Sequence, residues 1–345
     1  MAKTTLNTYA PDYLVHPGEV LDDYLDAYGM TPHELADRTG LTAEIIHNII
    51  EGKAPITNEI ALKLECPLGR PAHFWSNLEQ QFQKDWLKRV PVKEMLKREW
   101  IARKSDYGST LKEVLCFFGV NSPQHWNTVW QTHQVAFRQT QRFETYAESI
   151  SAWLRKGEIE AQQIRCEPFD RELFQETLKD IRRLTREEPA VFQPQLIDWC
   201  AAAGVAVTFV PELPKSGVCG ATRWLGDKAV IQLSLRYKSN DHLWFTFFHE
   251  AGHIIVHGHG AVFIESQGLN NDQEEEANQF ARDTLIAPVD WHHFLDRGDY
   301  SNRAIQRFAD EIGIAPGIVV GRLQHDKVLK NSCGNDLKVF YRWSS

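Results

Sequence analysis

Trp244-Phe245-Thr246-Phe247-Phe248 leads into His249-Glu250-Ala251-Gly252-His253, and Ile254-Ile255-Val256 follows. A run apolar around its whole circumference makes a helix that is buried on every side. Two imidazoles and a carboxylate inside such a helix would each cost on the order of several kcal/mol unless paired or bound to a metal. Histidines four residues apart project from one helical face, so both rings can reach one ion, and Glu250, one turn back from His253, faces the same place. H-E-x-x-H in this context predicts a zinc site with its general base built in. Gly252 costs about 1 kcal/mol relative to alanine in a helix, which a close approach of another backbone or of a substrate would explain.

Zinc needs a third protein ligand, with the fourth position left open. His259 has the spacing of the metzincin pattern, but that pattern needs glycine where Val256 stands and a methionine turn downstream, while the methionines are Met1, Met30 and Met95. The alternative is an acid on a following helix. In Asp272-Gln273-Glu274-Glu275-Glu276-Ala277-Asn278-Gln279-Phe280-Ala281, the residues Ala277, Phe280, Ala281, Thr284 and Leu285 form an apolar face at i, i+3, i+4 spacing. Glu274 lies beside that face, Glu276 on its other flank as second choice, and Glu275 nearly opposite. Asn278, one turn beyond Glu274, is placed to accept the outward ring N–H of a metal-bound histidine and so fix its tautomer.

H-E-A-G-H-I-I-V-H followed by E-E-E-A-N-Q-F-A-R-D-T-L-I-A-P resembles the ImmA/IrrE family of metallo-endopeptidases, whose second helix reads E-x-x-A-N-x-F-A-x-x-L-x-x-P. Glu274, Ala277, Asn278, Phe280 and Ala281 match it in register, and Leu285 and Pro288 stand one residue later than its leucine and proline. The resemblance extends more loosely from about Phe192 to Leu329. It implies His249, His253 and Glu274 as zinc ligands, Glu250 as catalytic base, a zincin-like domain, and a protein substrate of the repressor or toxin-antitoxin type. Tyr237, His242 and Arg223 are polar residues near enough in sequence to be weighed as oxyanion donors, and Cys219 as an inhibitory thiolate.

At the other end, His16-Pro17-Gly18-Glu19-Val20-Leu21, Thr31-Pro32-His33-Glu34-Leu35-Ala36-Asp37-Arg38-Thr39-Gly40-Leu41-Thr42 and Ile45-Ile46-His47-Asn48-Ile49-Ile50-Glu51-Gly52-Lys53 resemble an XRE-type helix-turn-helix of the HigA antitoxin class. Leu35 and Ala36 would pack the first helix of the motif, Gly40 turn the chain, and Thr42 cap the second. Thr42, Ala43, Glu44, His47 and Asn48 are the candidate DNA-reading positions. Residues 1–90 hold eight Lys/Arg against thirteen Asp/Glu, whereas specific DNA binders draw much of their affinity from neutralised phosphates. The head would therefore bind operator DNA weakly or as a homodimer, or dock a protein instead.

Composition agrees with a globular chain: 345 residues, 43% hydrophobic and 24% charged. The sequence holds no membrane-length apolar run and no secretory leader, which makes the cytoplasm the expected compartment. Six scattered cysteines without a C-x-x-C pair speak against a disulfide scaffold. Lys88 to Lys104 is basic, and Trp126, Trp130 and Trp153 recur on helical patterns that read as core. Val205–Val210 and Ala229–Ser234 are β-rich runs, the second being the candidate edge strand for receiving a peptide. The expected fold is α+β and mostly helical: a helix-turn-helix domain over 1–90, a helical middle over 91–190, and a metallopeptidase-like domain with a small sheet over 191–345.

Overall fold

The computed structural model describes residues 14–138, 147–258, 263–265 and 272–343. His259 lies outside the described residues. The chain divides into two compact units, Met1–Thr132 and His133–Ser345. Among the described residues of the 91–190 stretch the regular elements are all helical, and they divide between the two units.

The first unit is all helical: α1 (Pro17–Tyr28), α2 (Pro32–Thr39), α3 (Ala43–Ile50), α4 (Asn58–Leu68), α5 (Ala72–Arg89), α6 (Val92–Lys97), α7 (Tyr107–Phe118) and α8 (Pro123–Arg138), the last running past the division at Thr132. Caps explain the short helices. Thr31 and Glu34 form a reciprocal capping box on α2, Gly40 leaves it at φ 67°, and Thr42 accepts from the Ile45 N–H to start α3. Leu21, Leu25, Leu35, Ile46, Ile49, Leu64 and Trp75 close the core of α1 to α5. Glu79, buried in α5, accepts from the Ile56 N–H at 3.0 Å and from Gln124 at 2.8 Å, and so ties α8 to α5. Trp126 and Trp130 pack on Phe118 of α7, in keeping with a core role for these aromatics.

The second unit contains α9 (Ala147–Gln163), α10 (Arg171–Ile181), α11 (Pro189–Ala202), β1 (Val205–Phe209), β2 (Gly220–Leu225), β3 (Lys228–Leu233), α12 (Asn240–Gly252), β4 (Phe263–Glu265), α13 (Asp272–Leu285), α14 (Pro288–Arg297), α15 (Asn302–Ile312) and α16 (Pro316–His325). The sheet order is β1-β3-β2-β4, with β1 parallel to β3 and the other pairs antiparallel. A two-residue turn, Gly226-Asp227, joins β2 to β3, with Gly226 at φ 61°.

Strand β3 is not an edge. Ala229, Val230, Ile231 and Leu233 are fully buried, and β3 pairs on both sides, which corrects the expectation that Ala229–Ser234 receives substrate. A continuous apolar run belongs inside a sheet, because both faces are covered. On one face lies α9, with Trp153 Nε1 donating to the Val210 carbonyl and Gln232 to the Trp153 carbonyl. On the other lies α12, inside the largest core together with Val205, Val207, Ile231 and Leu233. The C-terminal segment fastens the start of α12. Lys338 reaches Asp241 at 2.6 Å, Asn240 accepts from the Val339 N–H, and Ser239 bridges to Phe340.

Candidate metal centre

Helix α12 is buried along almost its whole length and opens into a π-helical turn over His253–His257. Such wide turns occur often at functional sites. His249 and His253 lie on one face with their Nε2 atoms 3.0 Å apart. Glu274 comes to meet them, Oε2 at 3.2 Å from His249 Nε2 and Oε1 at 3.6 Å from His253 Nε2. All three are buried, and among the described residues they form the one His/Cys/Asp/Glu group with metal-holding geometry. Ligands bound to zinc at about 2.0–2.1 Å in tetrahedral geometry stand about 3.3 Å from one another. The three separations found here fall on either side of that value, so the spacing of the donor set fits a zinc ion. Burial, reinforced by the neighbouring His249 and His257 rings, holds His253 far below the ordinary imidazole range, down to about 2. It is therefore neutral, the form in which imidazole binds metal.

The sequence of α13 explains why Glu274 arrives there. Ala277, Ala281 and Leu285 are buried with Glu274 on one side of the helix, and two small residues let it lie close against α12. An added Cβ at Gly252 would stand 3.1 Å from Phe280 and 3.2 Å from the Ala277 Cα; the close backbone approach that Gly252 called for is that of α13. Asn278 Oδ1 lies 3.0 Å from His249 Nδ1 and accepts its proton, leaving His249 Nε2 with a lone pair facing Glu274. Glu275 points away and pairs with Arg282. Glu276, the second choice as ligand, turns to His257 at 2.9 Å instead.

Glu250 lies fully buried beneath the sheet, where the Thr222 hydroxyl donates to its Oε2 at 2.6 Å. Gly220, two residues earlier on β2, faces the same carboxylate: a Cβ there would fall 2.6 Å from Glu250 Oε1 and 2.6 Å from Thr246 Cγ2. Neither Thr222 nor Gly220 was recognised in the sequence. The signal was the Gly-Asp pair at 226–227, which marks a hairpin and makes 220–225 a strand whose alternate residues face α12.

Arg223 is the residue between, and it faces the other way. Its guanidinium donates to the Leu154 carbonyl at 2.7 Å and lies 3.6 Å from Glu158, with burial lowering its pKa to about 10. It is thus no oxyanion donor for this site. Tyr237 and His242 stack on each other at 4.4 Å and, with Cys219, Ser234 and Thr246, line a small cavity one turn up α12 from Glu250. Cys219 is buried in that lining and does not join the metal-capable group.

In the first unit, Thr42, Glu44 and His47 are exposed on α3, with Ala43 and Asn48 half-buried beside them. His47 pairs with Glu51, and Glu51 with Lys53. The face is mixed in charge and carries no arginine.

A helix-turn-helix family model matches residues 21–75. Among curated proteins, the chain is 32% identical over 69 residues to virulence-associated protein I of Dichelobacter nodosus, covering 20% of this chain and 64% of that protein. It is 29% identical over 63 residues to the uncharacterized HTH-type transcriptional regulator YddM of Escherichia coli K12, covering 18% of this chain and 67% of that one. The chain thus spans less than two thirds of the first of these relatives. Among solved structures it is similar to an antidote protein of a plasmid maintenance system from Nostoc punctiforme, at 29% identity over 26% of this chain and 97% of that one, with a TM-score of 0.23. A HigA-family addiction module antidote protein from Coxiella burnetii matches at 26% identity over 27% and 98%, also with a TM-score of 0.23. No helix among the described residues is long and apolar enough to cross a membrane.

Proposed function

We propose that the chain is a zinc-dependent endopeptidase carrying a helix-turn-helix head, acting on a partner protein of the repressor or toxin-antitoxin type. The observation that carries this reading is the convergence of His249, His253 and Glu274 from two helices at zinc-ligand separations, with Glu250 between the histidines on the same helix. Zinc bound there would supply Lewis acidity toward a water and a peptide carbonyl. Glu250 takes the proton of the attacking water and returns it to the leaving amine. Thr222, by donating to Oε2, holds the Glu250 carboxylate in a fixed orientation. Strand β4, bonded to β2 on one side only among the described residues, replaces β3 as the candidate edge for an added peptide strand.

The test is direct. Purified protein should contain about one zinc per chain, cleave members of a proteome-derived peptide library, and lose cleavage but not zinc on Glu250→Gln. Full cleavage by that variant would remove the mechanism.

A second reading is favoured by the matched helix-turn-helix at 21–75: a DNA-binding transcriptional regulator or antitoxin whose C-terminal unit serves as a sensor or binding module. It expects a salt-dependent mobility shift with operator DNA and no cleavage. The two readings are compatible, since a head can find the partner that the other unit cuts. The acidic head suits a basic partner protein.

A further inference from the structure

The two histidines of the centre are held from behind in different ways. His249 rests on the neutral Asn278 amide. His253 instead places Nδ1 3.1 Å from Nδ1 of His257, whose Nε2 lies 2.9 Å from Glu276 Oε2. His257 is nearly buried and Glu276 is more than half exposed, so the series runs from the buried centre to solvent.

With both rings neutral, the protons along it have one arrangement. A carboxylate only accepts, so His257 donates through Nε2–H. Neutral His257 then carries its lone pair on Nδ1, which requires His253 to donate through Nδ1–H. Neutral His253 is left with its lone pair on Nε2, the atom facing Glu274 and His249. Each bond fixes the tautomer of the next ring, and the series ends with the donor atom a metal needs.

We infer that His257 and Glu276 are positioning residues of the metal centre, a relay that sets the tautomer and ring orientation of His253 from the solvent side. The inference rests on the metal reading above and adds two residues to it. A carboxylate acting through an imidazole also raises electron density on His253, so zinc affinity depends on a side chain at the surface of the unit. The π-helical turn serves the same end, because it delivers the His257 ring to the His253 ring with centroids 5.2 Å apart.

Zinc affinity, measured by competition with a chromogenic chelator, and the visible spectrum of the cobalt-substituted protein test the relay. His257→Phe, which fills the space without an acceptor, should weaken zinc by about 10–100-fold. Glu276→Ala should weaken it by several-fold to about tenfold and shift the cobalt bands, while Glu276→Gln, which keeps an acceptor oxygen, recovers most of the loss. Asp283→Ala removes a carboxylate of the same helix that accepts from Gln279 and should leave both readouts at wild-type values. Because Glu276 is exposed, its variants are expected to fold even if His257→Phe does not.

Wild-type affinity and an unchanged cobalt spectrum in Glu276→Ala would overturn the relay while leaving the metal reading intact. Equal losses in Asp283→Ala and Glu276→Ala would also overturn it, by reducing the effect to general surface charge. Failure of the wild-type chain to take up zinc at all would remove the metal reading and the relay together.

Discussion

Replacing Gly220 by alanine puts one methyl group against the Glu250 carboxylate, the proposed base, and touches none of His249, His253 and Glu274. Gly220 is not among the glycines with positive φ, so the backbone accepts alanine and the effect is one of contact alone. The new Cβ would stand 2.6 Å from Glu250 Oε1, 2.6 Å from Thr246 Cγ2 and 2.9 Å from Glu250 Cγ. Carbon atoms pack at about 3.5–4.0 Å, so something must move by roughly 1 Å. Thr246 is β-branched and stiff within its helix, and strand β2 is bonded on both sides. The Glu250 side chain is what remains to give way.

Overpacking of this size costs about 1–3 kcal/mol of stability, and a 1 Å misplacement of a reacting group costs about 100-fold in rate. On library peptides cut by the wild-type protein, kcat/KM followed by mass spectrometry should fall by about 100-fold, with zinc content and affinity unchanged. Zinc-loaded Gly220→Ala protein cleaving within about threefold of wild type, a difference far below that expected from misplacement, would refute the placement of Glu250 as the base held against β2.

Thr222→Val keeps the shape of the side chain and removes the donor to Glu250 Oε2; cleavage should fall by roughly ten- to a hundredfold with zinc retained, the cost of about 1.5–3 kcal/mol for a bond to a charged group. Gly252→Val drives a branched side chain into Phe280 and the α13 backbone, and should lower both thermal stability, by about 1–3 kcal/mol, and zinc affinity. Lys338→Ala leaves Asp241 buried without its cation, which costs about 3–5 kcal/mol and should appear as a lower unfolding midpoint of the second unit. In the first unit, burial lowers His16 from 6.5 to about 4 while its Nδ1 caps α1. The unfolded chain therefore binds the proton more readily, so the stabilisation is complete above pH 6.5 and is lost as pH falls from there toward 4. Discounted for the partial exposure of the ring it amounts to about 1–2 kcal/mol, and denaturant titrations of His16→Asn should lack this slope.

Much of the centre was legible because it lies on helices, where spacing fixes direction. His249, Glu250 and His253 share a motif, Glu274 flanks a countable apolar face, and Asn278 follows one turn later. The same spacing continues to His257, yet an imidazole without an ion to bind invited no role until Glu276 was seen beside it. The sheet was less legible. Strand β2 mixes glycine, threonine, arginine and tryptophan without strict alternation, so only its Gly-Asp turn announced it. With β2 unseen, Thr222 had no place, and nothing showed that Arg223 points to the face opposite Glu250. Strand β3 was found but set at the edge, although its unbroken apolar run already placed it within. In the first unit, Thr31, Gly40 and Thr42 fixed the helix boundaries through local chemistry, independent of any tertiary contact.

The crossing of α12 and α13 at Gly252 and Ala277 sets how far Glu274 stands from the two histidines. A larger side chain at either position would push the second helix outward and carry Glu274 away with it. Small residues at both should therefore travel with the three donors among homologues, and an exchange confined to this pair should uncouple the cluster without altering any of its members.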